Sequence, residues 1–262
     1  MNMHICCPVL ELRQYKLHPG MRDTLIDLFD REFVESQEAL GISVIGQFRD
    51  VDQPNRFVWL RGFRDMTERA QALTAFYGGP IWKTHREAAN ATMIDSDDVL
   101  LLRPAHPTSG FEFAHAKRPP AGANELSKGL VVATIYYLKE VAQPKFVNFF
   151  ESTLKPLLID ADATVLGYFV TENSANTFPA LPVREGVNVF VWFAGFADEA
   201  AYAEHNFAVV NSPRWQNQIA KELATSVKGN PEVLRLSPTA RSRLHGTHAF
   251  FLSRFAPEEK PK

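Results

Sequence analysis

Residues of Val9–Leu17 alternate between two faces. Glu11, Arg13 and Tyr15 share one and Leu10, Leu12 and Gln14 the other, a period of two that predicts a strand. Pro19-Gly20 ends it. Met21, Leu25, Leu28, Phe29 and Phe33 then recur at helical spacing and predict a helix over about 21–39, stopped at Gly41. Next comes a predicted hairpin, with arms 43–49 and Arg56–Phe63 around Asp52-Gln53-Pro54-Asn55. Asp65 with Glu68 reads as the N-cap and capping box of a second helix, which breaks at Gly78-Gly79-Pro80 and resumes over 81–93. A strand over 99–103 closes the unit. The order is β-α-β-β-α-β, the ferredoxin-like split βαβ.

The unit occurs twice. Phe57-Val58-Trp59-Leu60-Arg61-Gly62-Phe63-Arg64-Asp65 is echoed by Phe190-Val191-Trp192-Phe193-Ala194-Gly195-Phe196-Ala197-Asp198, an offset of 133 residues that also carries Pro80 and Trp82 onto Pro213 and Trp215. Earlier segments align at an offset of 121, as Tyr15 to Tyr136 and Gly46 to Gly167. The change of offset predicts an insertion of twelve residues after Phe169, within about 171–186. Such a long period indicates a duplicated domain rather than a solenoid. The second unit is predicted as strand 131–138, helix 145–158, hairpin arms 164–170 and 188–196, a helix from Asp198 resuming after Pro213, and strand 232–236. The expected organisation is a first repeat over 8–105, a linker over 106–129, a diverged second repeat over 130–240, an extra strand over 241–256 and a tail over 257–262. Segments 110–114 and 246–255 read as extra strands that cross between the halves and cover sheet edges.

Composition limits the function classes. The 262 residues suffice for two domains, and 45% apolar with 22% charged residues is ordinary for a soluble protein. A net charge of −2 with scattered Lys and Arg gives no footprint for nucleic acid. No apolar run reaches the roughly 18 residues of a membrane span, and the first residues lack a signal or transit pattern, so a cytoplasmic protein is expected. The two cysteines, Cys6 and Cys7, are adjacent and read as reduced thiols. No Cys/His metal spacing, nucleophile motif, phosphate loop or dinucleotide fingerprint occurs, and no cofactor is expected.

Glu11-Leu12-Arg13-Gln14-Tyr15-Lys16-Leu17-His18-Pro19-Gly20 resembles the E-L-R-x-Y-x-L-x-P-G opening of the NIPSNAP family. Gly46-Gln47-Phe48-Arg49, Asn55, Trp59, Arg69-Ala70 and Trp82 are similar to its later pattern. The resemblance covers about 8–105 and weakens over 130–238, where the opening glutamate and arginine are missing. It implies the dimeric α+β barrel superfamily, an α+β fold in which two ferredoxin-like units pack sheet to sheet, here within one chain. Relatives on that fold include cofactor-independent monooxygenases, haem-degrading enzymes and ligand-binding proteins, and further dimerisation is common on it. The fold does not choose among these activities.

The repeats act as each other's control. The face with Leu10, Leu12, Gln14, Val58, Leu60 and Gly62 is small and apolar in both repeats and is assigned here to the helix-covered core. The opposite face is assigned to the space between the sheets. It keeps its aromatic residues, Trp59 becoming Trp192, but loses its charges: Glu11 becomes Val132, Arg13 Thr134, Arg61 Ala194 and Arg49 Val170, while His85 becomes Gln218. Glu11 can neutralise one of the arginines Arg13 and Arg61, which leaves a guanidinium to hold a carboxylate or phosphate. The competing reading is a structural ion-pair network. The site expected on this basis has Glu11, Arg13, Tyr15, Arg49, Trp59 and Arg61 as ligand-binding residues and His85 as the proton carrier. Its ligand is a small aromatic or apolar molecule with an acidic group, in a binding protein or a cofactor-independent enzyme. The alternative is a non-catalytic interaction or scaffold protein that uses the insertion around 173–185 and the linker. A filled barrel interior favours the second, and a cavity of a few hundred Å³, on the scale of ordinary ligand pockets, the first.

Overall fold

The computed structural model describes residues 7–112, 118–126, 129–141 and 144–246. The first repeat comprises β1 (Val9–Leu17), α1 (Arg22–Leu28), α2 (Val34–Glu38), β2 (Ser43–Asp50), β3 (Arg56–Phe63), α3 (Met66–Gly78), α4 (Pro80–Asn90) and β4 (Met93–Pro104). The second comprises β5 (Leu130–Tyr137), α5 (Pro144–Phe149), α6 (Lys155–Asp160), β6 (Thr164–Thr171), β7 (Val189–Phe196), α7 (Glu199–Asn211), α8 (Ala220–Ser226) and β8 (Glu232–Pro238). Asp65 and Asp198 cap α3 and α7, accepting from the backbone N–H groups of Glu68 and Ala201.

Each repeat orders its strands 4-1-3-2. The two sheets join at β2–β8 and β4–β6 into one closed, eight-stranded antiparallel barrel. The β2–β3 connection covers 51–55 and the β6–β7 connection 172–188, so the insertion lies in the second repeat's hairpin.

Wide π turns join α1 to α2 and α5 to α6, at Phe29–Phe33 and Phe150–Leu154. The sequence explains them. Leu25, Phe29, Phe33 and Gln37 recur every fourth residue, as do Phe146, Phe150, Leu154 and Leu158. At 3.6 residues per turn such a row drifts off one face, and a wider turn brings it back.

The assignment of strand faces from sequence is reversed in the structure. Leu10, Leu12, Val58 and Leu60 meet Val131, Ala133, Ile135, Val191 and Phe193 inside the barrel. The charged and aromatic face lies under the helices of its own repeat, with Tyr15, Phe57, Trp59 and Phe63 packed on α1–α4. The physical reason is room. Branched side chains from eight strands with a few phenylalanines such as Phe193 suffice to fill a closed barrel, whereas helices standing off a sheet leave a thicker layer for more and larger rings.

The barrel interior is filled. At one end Gly62 makes room for Cys7, and a side chain there would run into it. Cys7 is buried and disulfide-bonded, against the expectation of a reduced thiol; Cys6 lies outside the described residues. Phe111 packs on Phe169 and Phe193, and Leu244 donates its N–H to Ile45, so each repeat's trailing segment closes this end against the other repeat. Gly110 and Phe111 lie outside any strand, and the remainder of the two expected extra strands falls largely outside the described residues. At the other end Gln14 and Tyr137 donate to Glu232 at 3.1 and 2.7 Å.

Candidate functional site

Antiparallel register places Glu11 opposite Arg61, Arg13 opposite Trp59 and Tyr15 opposite Phe57, all on the helix side of the sheet. Period-two alternation puts Glu11, Arg13 and Tyr15 in one row, so the charges meet by strand geometry alone. The first turn of α3 adds Arg69, held over the sheet by the Asp65 cap.

Glu11 is the hub. One carboxylate oxygen, Oε2, accepts from Arg13 Nη1 and Arg61 Nε, each at 2.7 Å, and Oε1 accepts from Arg69 Nε at 2.7 Å. All four side chains are at most 1% exposed. Arg13 Nε donates to the Tyr15 hydroxyl at 3.1 Å, and Arg61 Nη1 makes long contacts of 3.4 Å with Gln37 and Tyr77. The guanidinium groups of Arg13 and Arg61 lie 5.6 and 5.0 Å from the centre of the Trp59 ring, within cation–π range.

The charges do not balance. Three guanidinium groups share one carboxylate in a site closed to water. Arg61 Nη2, Arg69 Nη2 and Trp59 Nε1 are buried and donate to nothing among the described residues. Buried charge and unpaired donors are costly, and the surplus here is cationic. Burial pushes the Glu11 carboxyl up, but attraction to Arg61, Arg13 and Arg69 overrides it and holds the group well below the usual carboxylate range. Burial outweighs the attraction of Glu11 at Arg69, whose pKa is lowered. Burial also raises the Tyr15 phenol despite the neighbouring Arg13.

An aromatic cavity of about 30 Å³ adjoins the cluster, lined by Tyr15, Trp59, Phe33, Gln37, Tyr77 and Trp82 among others. Its size suits a water-sized occupant. Larger open grooves of about 300 and 590 Å³ on the second repeat carry no comparable cluster of buried charge.

Part of the cover comes from the other repeat. The 172–188 connection reaches across so that Arg69 Nη1 donates to Asn176 Oδ1 at 3.0 Å and Thr177 Oγ1 at 3.2 Å. Phe178 stacks on Tyr77 with ring centres 5.8 Å apart.

Glu11, Arg13, Tyr15, Trp59 and Arg61 are therefore brought together. Arg49 and His85 lie apart from them. Arg49 Nε pairs with Asp23 at 2.9 Å on α1, and His85 on α4 is about a quarter exposed, with Nε2 3.4 Å from Glu32. Sequence reasoning missed Arg69, Gln37, Tyr77, Asn176, Thr177 and Phe178. The repeat offsets held the signal for three of these: Arg69 becomes Tyr202, Gln37 becomes Leu158 and Tyr77 becomes Val210.

Residues 10–107 match the family model of NIPSNAP. No curated protein matches the chain at a significant level. A candidate monooxygenase from Lactobacillus acidophilus superposes with a TM-score of 0.52 at 15% identity, covering 88% of this chain and 94% of its own. A second candidate monooxygenase, from Fusobacterium nucleatum, gives a TM-score of 0.54 at 11% identity over 92% and 96% of the two chains. An anthrone oxidase-like protein gives 0.53 at 11% identity with the same coverage. These likenesses establish the two-repeat barrel architecture. The glutamate–arginine strand that opens the site falls within the segment that matches the NIPSNAP family model, which lies in the first repeat.

Proposed function

We propose that the first repeat binds a small molecule with a flat apolar body and an acidic group between its sheet and helices. The observation that carries this reading is the surplus of buried guanidinium over carboxylate, with outward donors on Arg61 and Arg69 unpaired. A ligand oxyanion supplies the missing charge and acceptors. Arg13 and Arg61 hold it, while Tyr15 and Trp59 wall the apolar part. Arg49, outside the cluster and paired with Asp23, acts on an approaching anion from β2. Where the site performs chemistry, His85 carries the proton, because it follows Trp82 by one turn of α4, packs on Phe33 and has a carboxylate partner in Glu32. The enzymatic form of this reading is oxidation of the bound molecule with dioxygen as the oxidant, in line with the monooxygenase and oxidase names of the structural neighbours; at 11–15% identity they support the fold rather than the reaction.

The proposed organisation keeps 8–105 as the ligand-binding repeat and 130–240 as the diverged repeat that completes the barrel, with 106–129 and 241–256 as trailing segments. The protein is proposed to act in the cytoplasm and to form homo-oligomers. No helix among the described residues is long and apolar enough to cross a membrane. A second reading, a non-catalytic interaction protein, is favoured by the filled barrel interior.

A thermal-shift screen separates the two. Aromatic carboxylates, acyl-CoA-type anions and haem are tested on wild type, Arg13→Ala and Arg61→Ala. A ligand that binds only the folded state raises the Tm with its concentration. The binding reading expects a rise in wild type that both variants lose. No rise, with both variants strongly destabilised, favours the interaction protein.

A further inference from the structure

The cavity beside the arginines holds about 30 Å³ and is lined by first-repeat residues, too little for the ligand proposed above, so that ligand also needs space that the cover over the arginines now fills. The helices and sheet are packed through their buried rings. The 172–188 connection, which does not line that cavity, covers Arg69. Thr177 is exposed on its outer side, while Arg69 directly beneath is fully buried. The connection is held there by the two Arg69 hydrogen bonds, by Thr177 Oγ1 donating to the Met66 carbonyl at 3.0 Å, and by the ring contact of Phe178 with Tyr77. The equivalent hairpin of the first repeat, 51–55, is too short to make such a cover over the second.

Two neutral oxygens, Asn176 Oδ1 and Thr177 Oγ1, thus meet one guanidinium nitrogen of Arg69, and Arg69 Nη2 beside it is unpaired. A carboxylate at that edge would meet Nη1 and Nη2 together, the forked pairing that two oxygens on Nη1 alone do not make. Arg61 and Arg69 are bound through Nε to the same Glu11 and lie 5.6 and 6.0 Å from the centre of the same Phe63 ring. Two cationic edges therefore stand side by side, and the surplus over Glu11 amounts to two charges.

We propose that the site takes a diacid: one carboxylate on Arg13 and Arg61, the second on Arg69, where it displaces Asn176 and Thr177 of the second repeat's connection. This rests on the anion-binding reading above and names its ligand class. The connection is the removable cover of Arg69, and its two oxygens hold the second subsite in the closed form. The second repeat thereby contributes specificity to a site whose charges all belong to the first.

Isothermal titration at pH 7 tests this on the full chain with benzoate, isophthalate and phenyl phosphate, using wild type, Arg69→Gln and the double variant Asn176→Ala/Thr177→Val. Wild type is expected to bind isophthalate about tenfold tighter than benzoate, with phenyl phosphate the weaker of the two dianions. Arg69→Gln removes the isophthalate preference. The double variant leaves every arginine and Glu11 in place, so it remains informative if Arg69→Gln fails to fold. Loss of the competing oxygens strengthens isophthalate more than benzoate. Equal binding of benzoate and isophthalate, or weaker isophthalate binding in the double variant, overturns the second subsite and leaves the single-anion reading standing. Phenyl phosphate binding tighter than isophthalate overturns it too, since charge alone then decides. No binding of any of the three overturns both readings.

Discussion

The two repeats share a backbone plan and differ in what they bury between sheet and helices. In the first, Glu11 faces Arg61 across the strands; at the same register in the second, Val132 faces Ala194. Trp59 and Trp192 occupy matching places, as do the two helix rows at spacing four. Below the helices, Asp30 accepts from Gln47 at 2.9 Å in the first repeat, and Glu151 from Tyr168 at 2.6 Å in the second. The second repeat shows that this fold closes its sheet–helix layer without a buried glutamate–arginine cluster. The ionic cluster of the first is thus not something the architecture requires. Replacing buried ion pairs by apolar groups is often neutral or stabilising, and the binding reading proposed above rests on this contrast between the halves.

The largest expected effect comes from removing the hub. Glu11→Gln leaves three buried guanidinium groups without a carboxylate and should cost about 3–5 kcal/mol in urea unfolding. Arg13→Met breaks the comparison from the other side. It brings the cluster nearer to neutrality and should cost at most about 2 kcal/mol, less than Glu11→Gln. Equal losses for the two variants would mean that the cluster is a balanced network.

The Asp30 position yields a pH-dependent difference. Burial pushes this carboxyl up to about 6 from an ordinary value of 3.8, despite the hydrogen bond from Gln47. Between those values the folded chain holds the proton more tightly than the unfolded chain, so Asp30 makes stability fall as pH rises from about 4 to about 6, and the effect levels off above that. Asp30→Asn should flatten this part of the stability–pH profile relative to wild type. An unchanged slope would show that other carboxyls control the window. The smallest effect is expected at the cover: Phe178→Ala removes a half-buried ring from Tyr77 and should cost about 1 kcal/mol. It should also speed exchange of the Arg69 side-chain protons, observable by NMR, while leaving the second repeat's Trp192 signal in place.

Much of the fold was legible in the sequence because local rules and the repeat agreed. Val9–Leu17 and Arg56–Phe63 follow their alternation, Asp65 caps as expected, a helix begins after Asp198, and the offset change located the long hairpin connection. The facing of the strands was not legible. Alternation divides Leu12 from Arg13 but does not say which side turns inward, and the rule that charges avoid interiors gives no help when both sides are buried. In the site, comparing repeats found Glu11, Arg13 and Arg61, and the same comparison reaches Arg69 once α3 is included. Asn176, Thr177 and Phe178 were beyond it, because an insertion has no counterpart to compare and its reach across the barrel is a property of the closed fold.

The measurement that bears most directly on the buried cationic surplus is the Tm of the wild-type protein over a concentration series of benzoate and its neutral isostere benzamide, with Arg61→Met alongside. The two compounds share shape and apolar area and differ in charge. The account predicts a Tm that climbs with benzoate, stays level with benzamide and no longer responds to benzoate in Arg61→Met. Equal responses to both compounds, or none to either, would contradict it.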